Sequence, residues 1–311
     1  MTTERPAPDA TATVTAVIAT RDRPQLLRRA LAAIEAQTFA GTIETICVFD
    51  QSEPDLSLER ADGPRPVRVV ANRRSPGLAG GRNTGVDEAR GEWVAFCDDD
   101  DEWLPGKIDA QFAALAANPA ARMATCAIAI RFEDDDHVRR PDPATLTFDG
   151  FLRDRMTEVH PSSFLMDRRW VIDELGPVDE ALPGSYAEDY AVLLRASRLT
   201  PIVSADEPLV TIHWHPSTYF RDRWAMIDDA LGHLVDKFPE FENERHGLAR
   251  IRGQQAFARA AAGDRRGSLG LVRDTLKLHP LEPRAPIALL VAAGFPPQTV
   301  LNLLHKTGRG L

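Results

Sequence analysis

With 311 residues, 43% of them hydrophobic and 27% charged, the chain has the make-up of a globular protein large enough for an α/β domain and a helical appendage. A net charge of −9 argues against a nucleic-acid binder held by phosphate contacts. Cys47, Cys97 and Cys126 each sit inside an apolar run, so they read as reduced core thiols of a cytosolic protein and not as a disulfide framework or zinc site. Residues 1–13, rich in Thr, Pro and Ala, lack the apolar centre of a signal peptide and are predicted to be a disordered lead-in.

Residues 14–20 (VTAVIAT) predict a buried strand, followed by a helix with Leu26, Leu27, Ala30, Leu31 and Ile34 on one face. Asp22 is its expected N-cap, with Pro24 in the first turn. Residues 43–50 (IETICVFD) form a second strand that ends in a carboxylate, and residues 67–70 a third. The alternation of strand and helix indicates a parallel sheet with right-handed crossovers. Residues 72–85 (NRRSPGLAGGRNTG) match neither the dinucleotide nor the P-loop fingerprint. They read equally well as a glycine-rich turn or as an anion site at the start of a helix over about 79–90 that carries Arg82.

The chain is organised around residues 91–103 (GEWVAFCDDDDEW). Trp93 to Cys97 is a strand apolar on both faces, and four aspartates, Asp98 to Asp101, emerge at its end. Ligands of open α/β sheets bind beyond the carboxyl ends of the strands. Four adjacent negative charges cost free energy unless a cation sits among them, and Mg²⁺ or Mn²⁺ takes carboxylates together with substrate phosphates. The second acidic cluster, residues 133–137, is expected at a hairpin tip and is assigned no metal.

Further strands are expected at 123–132, 162–166, 202–203 and 209–214, with a short helix at Trp170–Leu175 stopped by Gly176. The helix predicted from Tyr186 to Arg198 opens with Ser185 and Glu188 in capping-box spacing, which gives Glu188 a structural task. Asp189 shares the side of Val192 and Leu193, and a carboxylate on an inward face suits a general base. His213 and His215 point the same way along a strand, with His215 the favoured metal or phosphate contact. The remainder is helical. Residues 285–295 are too short an apolar run to span a bilayer, and residues 287–304 are expected to pack back or to touch a membrane surface or partner.

Taken together, the strand ends at Thr20-Arg21 and Asp50, the Arg82-Asn83-x-Gly85 segment and residues 96–103 (FCDDDDEW) resemble the family 2 glycosyltransferases of GT-A fold, over about residues 14–217. The resemblance implies a GT-A, Rossmann-like, mostly parallel sheet flanked by helices, with residues 218–311 as a helical C-terminal extension. It implies inverting transfer of a sugar from a nucleotide-diphosphate sugar to an acceptor hydroxyl of a glycan or lipid-linked polysaccharide precursor. On this pattern Thr20, Arg21, Asp50, Arg82, Asp98 and Asp99 hold the nucleotide sugar. Asp100 and His215 ligate Mn²⁺ or Mg²⁺, with the choice among Asp98, Asp100 and Asp101 left open, and Asp189 is the catalytic base. The expected partners are the donor and acceptor, with peripheral membrane contact through the C-terminal helices at the cytoplasmic face and no nucleic acid. The rivals are a nucleotidyltransferase, disfavoured because residues 20–24 (TRDRP) lack the glycine-rich loop it needs, and a non-catalytic nucleotide-sugar or partner-binding module.

Overall fold

The computed structural model describes residues 12–132, 135–213 and 222–305. The chain divides into two compact units, the first drawn from Met1–Phe148, Met156–Glu180 and Glu188–His215 and the second from Asp149–Arg155, Ala181–Ala187 and Pro216–Leu311. The strands are β1 (Thr13–Thr20), β2 (Thr42–Phe49), β3 (Val67–Ala71), β4 (Trp93–Phe96), β5 (Glu102–Trp103), β6 (Met123–Phe132), β7 (Asp135–Arg139), β8 (Leu165–Asp167) and β9 (Ile202–His213). The helices are α1 (Pro24–Glu35), α2 (Leu78–Glu88), α3 (Lys107–Ala117), α4 (Phe148–Arg153), α5 (Arg168–Trp170), α6 (Glu188–Leu199), α7 (Trp224–Lys237), α8 (Arg245–Ala261), α9 (Arg265–Leu278), α10 (Arg284–Ala292) and α11 (Pro297–His305).

The sheet runs β3-β2-β1-β4-β8-β6-β9-β5, with β7 paired to β6. From β3 to β4 every pairing is parallel, as the strand–helix alternation predicts. Beyond β4 it is mixed, since β8 is antiparallel to both β4 and β6 whereas β9 runs parallel to β6. Val14, Ile18, Ile43, Cys47, Trp93 and Cys97 lie in one apolar core with Leu27 and Ile34 of α1, so strands covered on both faces are apolar along their length. All three cysteines are free and buried. The glycines of residues 77–85 permit close packing: a methyl at Gly85 would run into Val17 of β1, and one at Gly80 into the Ser75 carbonyl.

Several local expectations are corrected. Helix α1 is capped by the backbone of Arg23 with no side-chain bond, and Asp22 takes a positive φ of 54°, so it is not the N-cap. The strand expected from Ser162 begins at Leu165, because residues 161–163 form a 3₁₀ turn whose first amide is taken by the His160 ring. The two strands expected at 202–203 and 209–214 are one. Pro208 is accommodated where the β6–β9 register slips beside Ala127, and Trp214 lies outside the described residues. Helix α6 starts at Glu188, so Ser185 is not its cap; Ser185 and Ala187 both have positive φ, 56° and 63°. Strand β7 covers part of the second acidic cluster, whose residues 133–134 lie outside the described residues.

The second unit has its own small core, in which Ala256, Phe257 and Ala260 of α8 meet Val272 of α9 and Ala285, Ala288 and Val291 of α10. Ile287, Val300 and Leu301 pack against it, so this part of the apolar tail lines its own unit. Among the described residues no helix is long and apolar enough to cross a membrane.

Candidate active site

Strands β1, β2 and β4 all end at one edge, and the site is built on the segments that leave them there. At the end of β2, Asp50 is buried and its carboxylate holds a loop together. Oδ1 accepts from Asn72 Nδ2 (2.8 Å), and Oδ2 accepts from the Gly77 amide (3.0 Å) and Gln51 Nε2 (2.9 Å). The loop 72–77 is gripped from its other side by Glu180. That carboxylate accepts from Ser75 N (3.1 Å), Ser75 Oγ (2.6 Å), Arg74 Nε (2.5 Å) and Asn83 Nδ2 (2.6 Å). Partial burial opposes the Glu180 charge, but these donors outweigh it and bring its pKa down to about 2. Asn83 also exchanges two bonds with the backbone of Val178.

The four aspartates divide their partners. Asp98 accepts from Arg82 Nη2 (2.6 Å). Asp99 takes the Thr20 hydroxyl (2.7 Å) and Arg23 Nη1 (3.1 Å), and Asp100 shares the same Arg23 nitrogen (2.9 Å). Asp101, 2% exposed, takes the Ser162 hydroxyl (2.5 Å) and lies 3.5 Å from His160 Nδ1. Burial pushes Asp99 up to about 6, against the pull of Thr20 and Arg23. Burial, with the charges of Asp98 and Asp100, holds Asp101 well above the ordinary carboxylate range. These carboxylates are under-compensated, and the chemistry of the set favours an added cation.

Arg82 is buried on α2 over the Phe96 ring, 5.2 Å from its centroid. It bridges Asp98 to Glu188, whose carboxylate is in direct contact with the guanidinium. Burial works against its charge, yet the fields of Asp98 and Glu188 more than offset this and raise its pKa. Glu188 is therefore an arginine partner. Asp189, next on α6 and half-buried, lies close enough for its charge to support the protonated forms of both Arg82 and His160. Helix α6 is anchored by Val192, Leu193, Leu194 and Ala196, and burying each larger side chain contributes about 1.5–3 kcal/mol, which fixes Glu188 and Asp189 in place.

Ligand atoms of Asp98, Asp101 and His160 lie within 4.8 Å of one another, a donor set suited to a divalent cation. Asp100 instead faces Arg23, and His215 lies outside the described residues. The His213 ring lies 2.8 Å from Glu102, while the His213 backbone hydrogen-bonds the Asp101 carboxylate. Arg21 lies 3.8 Å from Asp22, and it is Arg23 that reaches the aspartates. His160, Ser162, Glu180 and Arg23 are the site residues that sequence reasoning did not single out. Their short segments, His160-Pro161-Ser162 and Asp179-Glu180, carry no periodic signal and meet the aspartates only through the sheet. Behind them, fully buried Lys107 bonds Gln111 (2.9 Å) and stands 3.9 Å from the centroid of the Trp103 ring. The Trp103 indole in turn donates to the Ser162 carbonyl (2.9 Å).

Residues 15–174 match the family model described as glycosyl transferase family 2, which is more than half of the chain. The chain belongs to that family. It is a glycosyltransferase. An uncharacterized glycosyltransferase of Bacillus subtilis, YwdF, is 29% identical over 60% of this chain and 68% of its own length. The succinoglycan biosynthesis protein ExoO of Rhizobium meliloti is 29% identical over 61% of this chain and 57% of its own. An Escherichia coli enzyme, UDP-Glc:alpha-D-GlcNAc-diphosphoundecaprenol beta-1,3-glucosyltransferase, is 27% identical over 28% of this chain and 35% of its own. Among solved structures, S. aureus TarS 1-349 in complex with UDP-GlcNAc superposes with a TM-score of 0.62 at 15% identity, covering 96% of this chain and 92% of that one. A Pyrobaculum calidifontis mannosyltransferase in complex with GDP-Man and Mn²⁺ gives 0.53 at 18% identity, covering 97% and 90%. These likenesses establish the shared GT-A fold.

Proposed function

We propose that the protein is an inverting, metal-dependent transferase that moves a hexose from a nucleotide-diphosphate sugar to a hydroxyl of a glycan or lipid-linked acceptor. The observation that carries this reading is the convergence of Asp189, Arg82 and the under-compensated Asp98–Asp101 cluster on one sheet edge. UDP is the favoured donor nucleotide, supported by the UDP-GlcNAc complex of TarS and by the UDP-glucose named for the E. coli relative. That relative's diphosphoundecaprenol substrate supports a lipid-linked acceptor, and with it a place at a membrane surface, which the family resemblance sets at the cytoplasmic face. The transferase domain is taken to span residues 14–217.

In this reading Thr20, Arg21, Asp50, Arg82 and Asp99 bind and orient the nucleotide sugar, with Asp50 acting largely through the loop it holds. Asp98 and Asp101 with His160 hold the cation, joined by Asp100 and His215 as the sequence pattern suggests. A divalent ion bound there supplies positive charge for the departing diphosphate. The Asp189 carboxylate accepts the proton of the acceptor hydroxyl as that oxygen attacks the anomeric carbon. A single base opposite the leaving group gives inversion by one displacement, in contrast to the carboxylate pair of glycosidases. Arg82 and Glu188 fix each other, which ties the start of α6, where Asp189 lies, to α2.

Calorimetric titration of UDP, GDP and dTDP, with and without Mn²⁺, tests the reading. The expected result is Mn²⁺-dependent binding of UDP, lost in Asp98→Ala and Asp101→Ala. Failure of all three nucleotides to bind in the presence of Mn²⁺ would overturn it.

A further inference from the structure

Charge is divided unevenly along this chain. Residues 245–311 hold eleven Lys and Arg against three Asp and Glu, a balance of +8, so residues 1–244 carry −17 against the overall −9. We infer that the exposed face of helix α9 is a docking surface for an anionic lipid bilayer. The inference deepens the proposed lipid-linked acceptor by naming the surface on which the enzyme would meet it.

Helix α9 buries Ser268, Val272 and Thr275 and leaves the opposite face outward. Arg266, Leu269, Arg273 and Leu276 follow one another at steps of three, four and three residues, the spacing of a single helix face, and Lys277 lies beside them. Leu269 is 51% and Leu276 37% exposed. Leucines flanked by long basic side chains form the pattern of a helix lying in a membrane interface, where the cations reach phosphate groups and the stems and leucines enter the acyl boundary.

Both ends of the helix extend the pattern. At its start, Arg265 Nη2 lies 3.8 Å from where a side chain on Gly294 would begin, which sets this arginine beside the turn that carries Phe295, itself 56% exposed. At its end, Arg245 Nη2 donates to the Lys277 carbonyl (2.8 Å), and Leu281, three residues beyond the helix, is 83% exposed. The acids do not cancel this field. Asp264 caps the first turn through the Gly267 amide, and Asp274 stands between Lys277 (3.4 Å) and Arg273 (3.8 Å). Five cations, Arg245, Arg265, Arg266, Arg273 and Lys277, outnumber the two carboxylates beside them, Asp264 and Asp274, and leave a net positive charge. Charge complementarity therefore selects an anionic surface, and a second copy of this face would be repelled.

The test is vesicle flotation of the full chain with no nucleotide or acceptor present. Vesicles are phosphatidylcholine alone, or phosphatidylcholine with about a third phosphatidylglycerol. At low ionic strength, the protein should float with the anionic vesicles at least about tenfold more than with neutral ones, and high salt should release it. The variant R266E/R273E/K277E should lose flotation, and L269S/L276S should lower it by about tenfold. UDP titration on the same variants should match wild type, because α9 lies outside the proposed nucleotide site. Absence of nucleotide binding in wild type would strike the enzymatic reading while leaving the vesicle result intact. Equal flotation on neutral and anionic vesicles, no flotation at low salt, or variants that float like wild type would each overturn the lipid surface.

Discussion

Two sets of carboxylates at the same sheet edge are treated in opposite ways. Asp50 and Glu180 are saturated with hydrogen-bond donors, three on one and four on the other, and between them they clamp loop 72–77. Asp99 and Asp101 are buried so deeply that desolvation outweighs their donors, Thr20 and Arg23 on one and Ser162 and the His213 backbone on the other, and both are raised in pKa. A saturated carboxylate is a finished structural joint, whereas a crowded and under-compensated one stores a demand for a cation or a ligand. The sequence shows acids in both places; the donors around them separate scaffold from site.

The largest effect expected is on Asp189. Replacement by Asn keeps the shape and removes the proton acceptor, so turnover should fall by about 10²–10⁴-fold while donor binding by calorimetry is retained. Loss of donor binding together with turnover would place Asp189 among the binding residues instead.

Next, Arg82→Lys should be severe although the charge is kept. One ammonium cannot span Asp98 and Glu188 as the planar guanidinium does, and a buried acid left without its partner costs about 1–3 kcal/mol. Thermal unfolding should show the loss, and wild-type stability in the variant would mean that the bridge is not structural.

The pH dependence sharpens the contrast further. The folded-state pKa of Asp99, about 6, lies above its ordinary value of 3.8. Its favourable share of stability is fully present below pH 3.8 and is lost as pH rises through 6, a swing of about 3 kcal/mol by order of magnitude. Glu180 runs the other way: its folded pKa of about 2 lies below 4.5, so its contribution is present above pH 4.5 and is lost as pH falls through 2. Urea unfolding of metal-free protein across pH 2–7 should show Asp99→Asn flattening the upper window and Glu180→Gln the lower one. If both substitutions alter the same window, the division between scaffold and site fails.

The smallest effect is expected for Glu180→Gln on the reaction itself. With the loop loosened but Asp189 untouched, donor KM should rise by up to about tenfold with kcat nearly unchanged, the signature of a binding loop set less firmly. A fall in kcat alone would assign Glu180 to the chemistry.

Much of this was legible from residue order. The apolar strands, β1, β2 and β4 among them, announce themselves because a strand covered on both faces must be apolar throughout, and the aspartate run at the end of β4 marks the site edge. Turn chemistry is less legible: the cap of α1 falls on Arg23 and not on Asp22, which has a positive φ, and Glu188 proves to pair with Arg82, 106 residues away.

The sequence by itself determined the order of strands and helices, the family motifs and the divided charge of the chain, because periodicity and composition act over neighbouring residues. Only the tertiary structure decided that Glu180 clamps the loop, that Arg82 joins Asp98 to Glu188, and that His160 and Ser162 meet Asp101. Ser162 stands 61 residues from Asp101, and Glu188 stands 106 from Arg82. Only the pairing of β4, β8 and β6, with the packing of α2 and α6, brings such distant dipoles and charges within bonding distance.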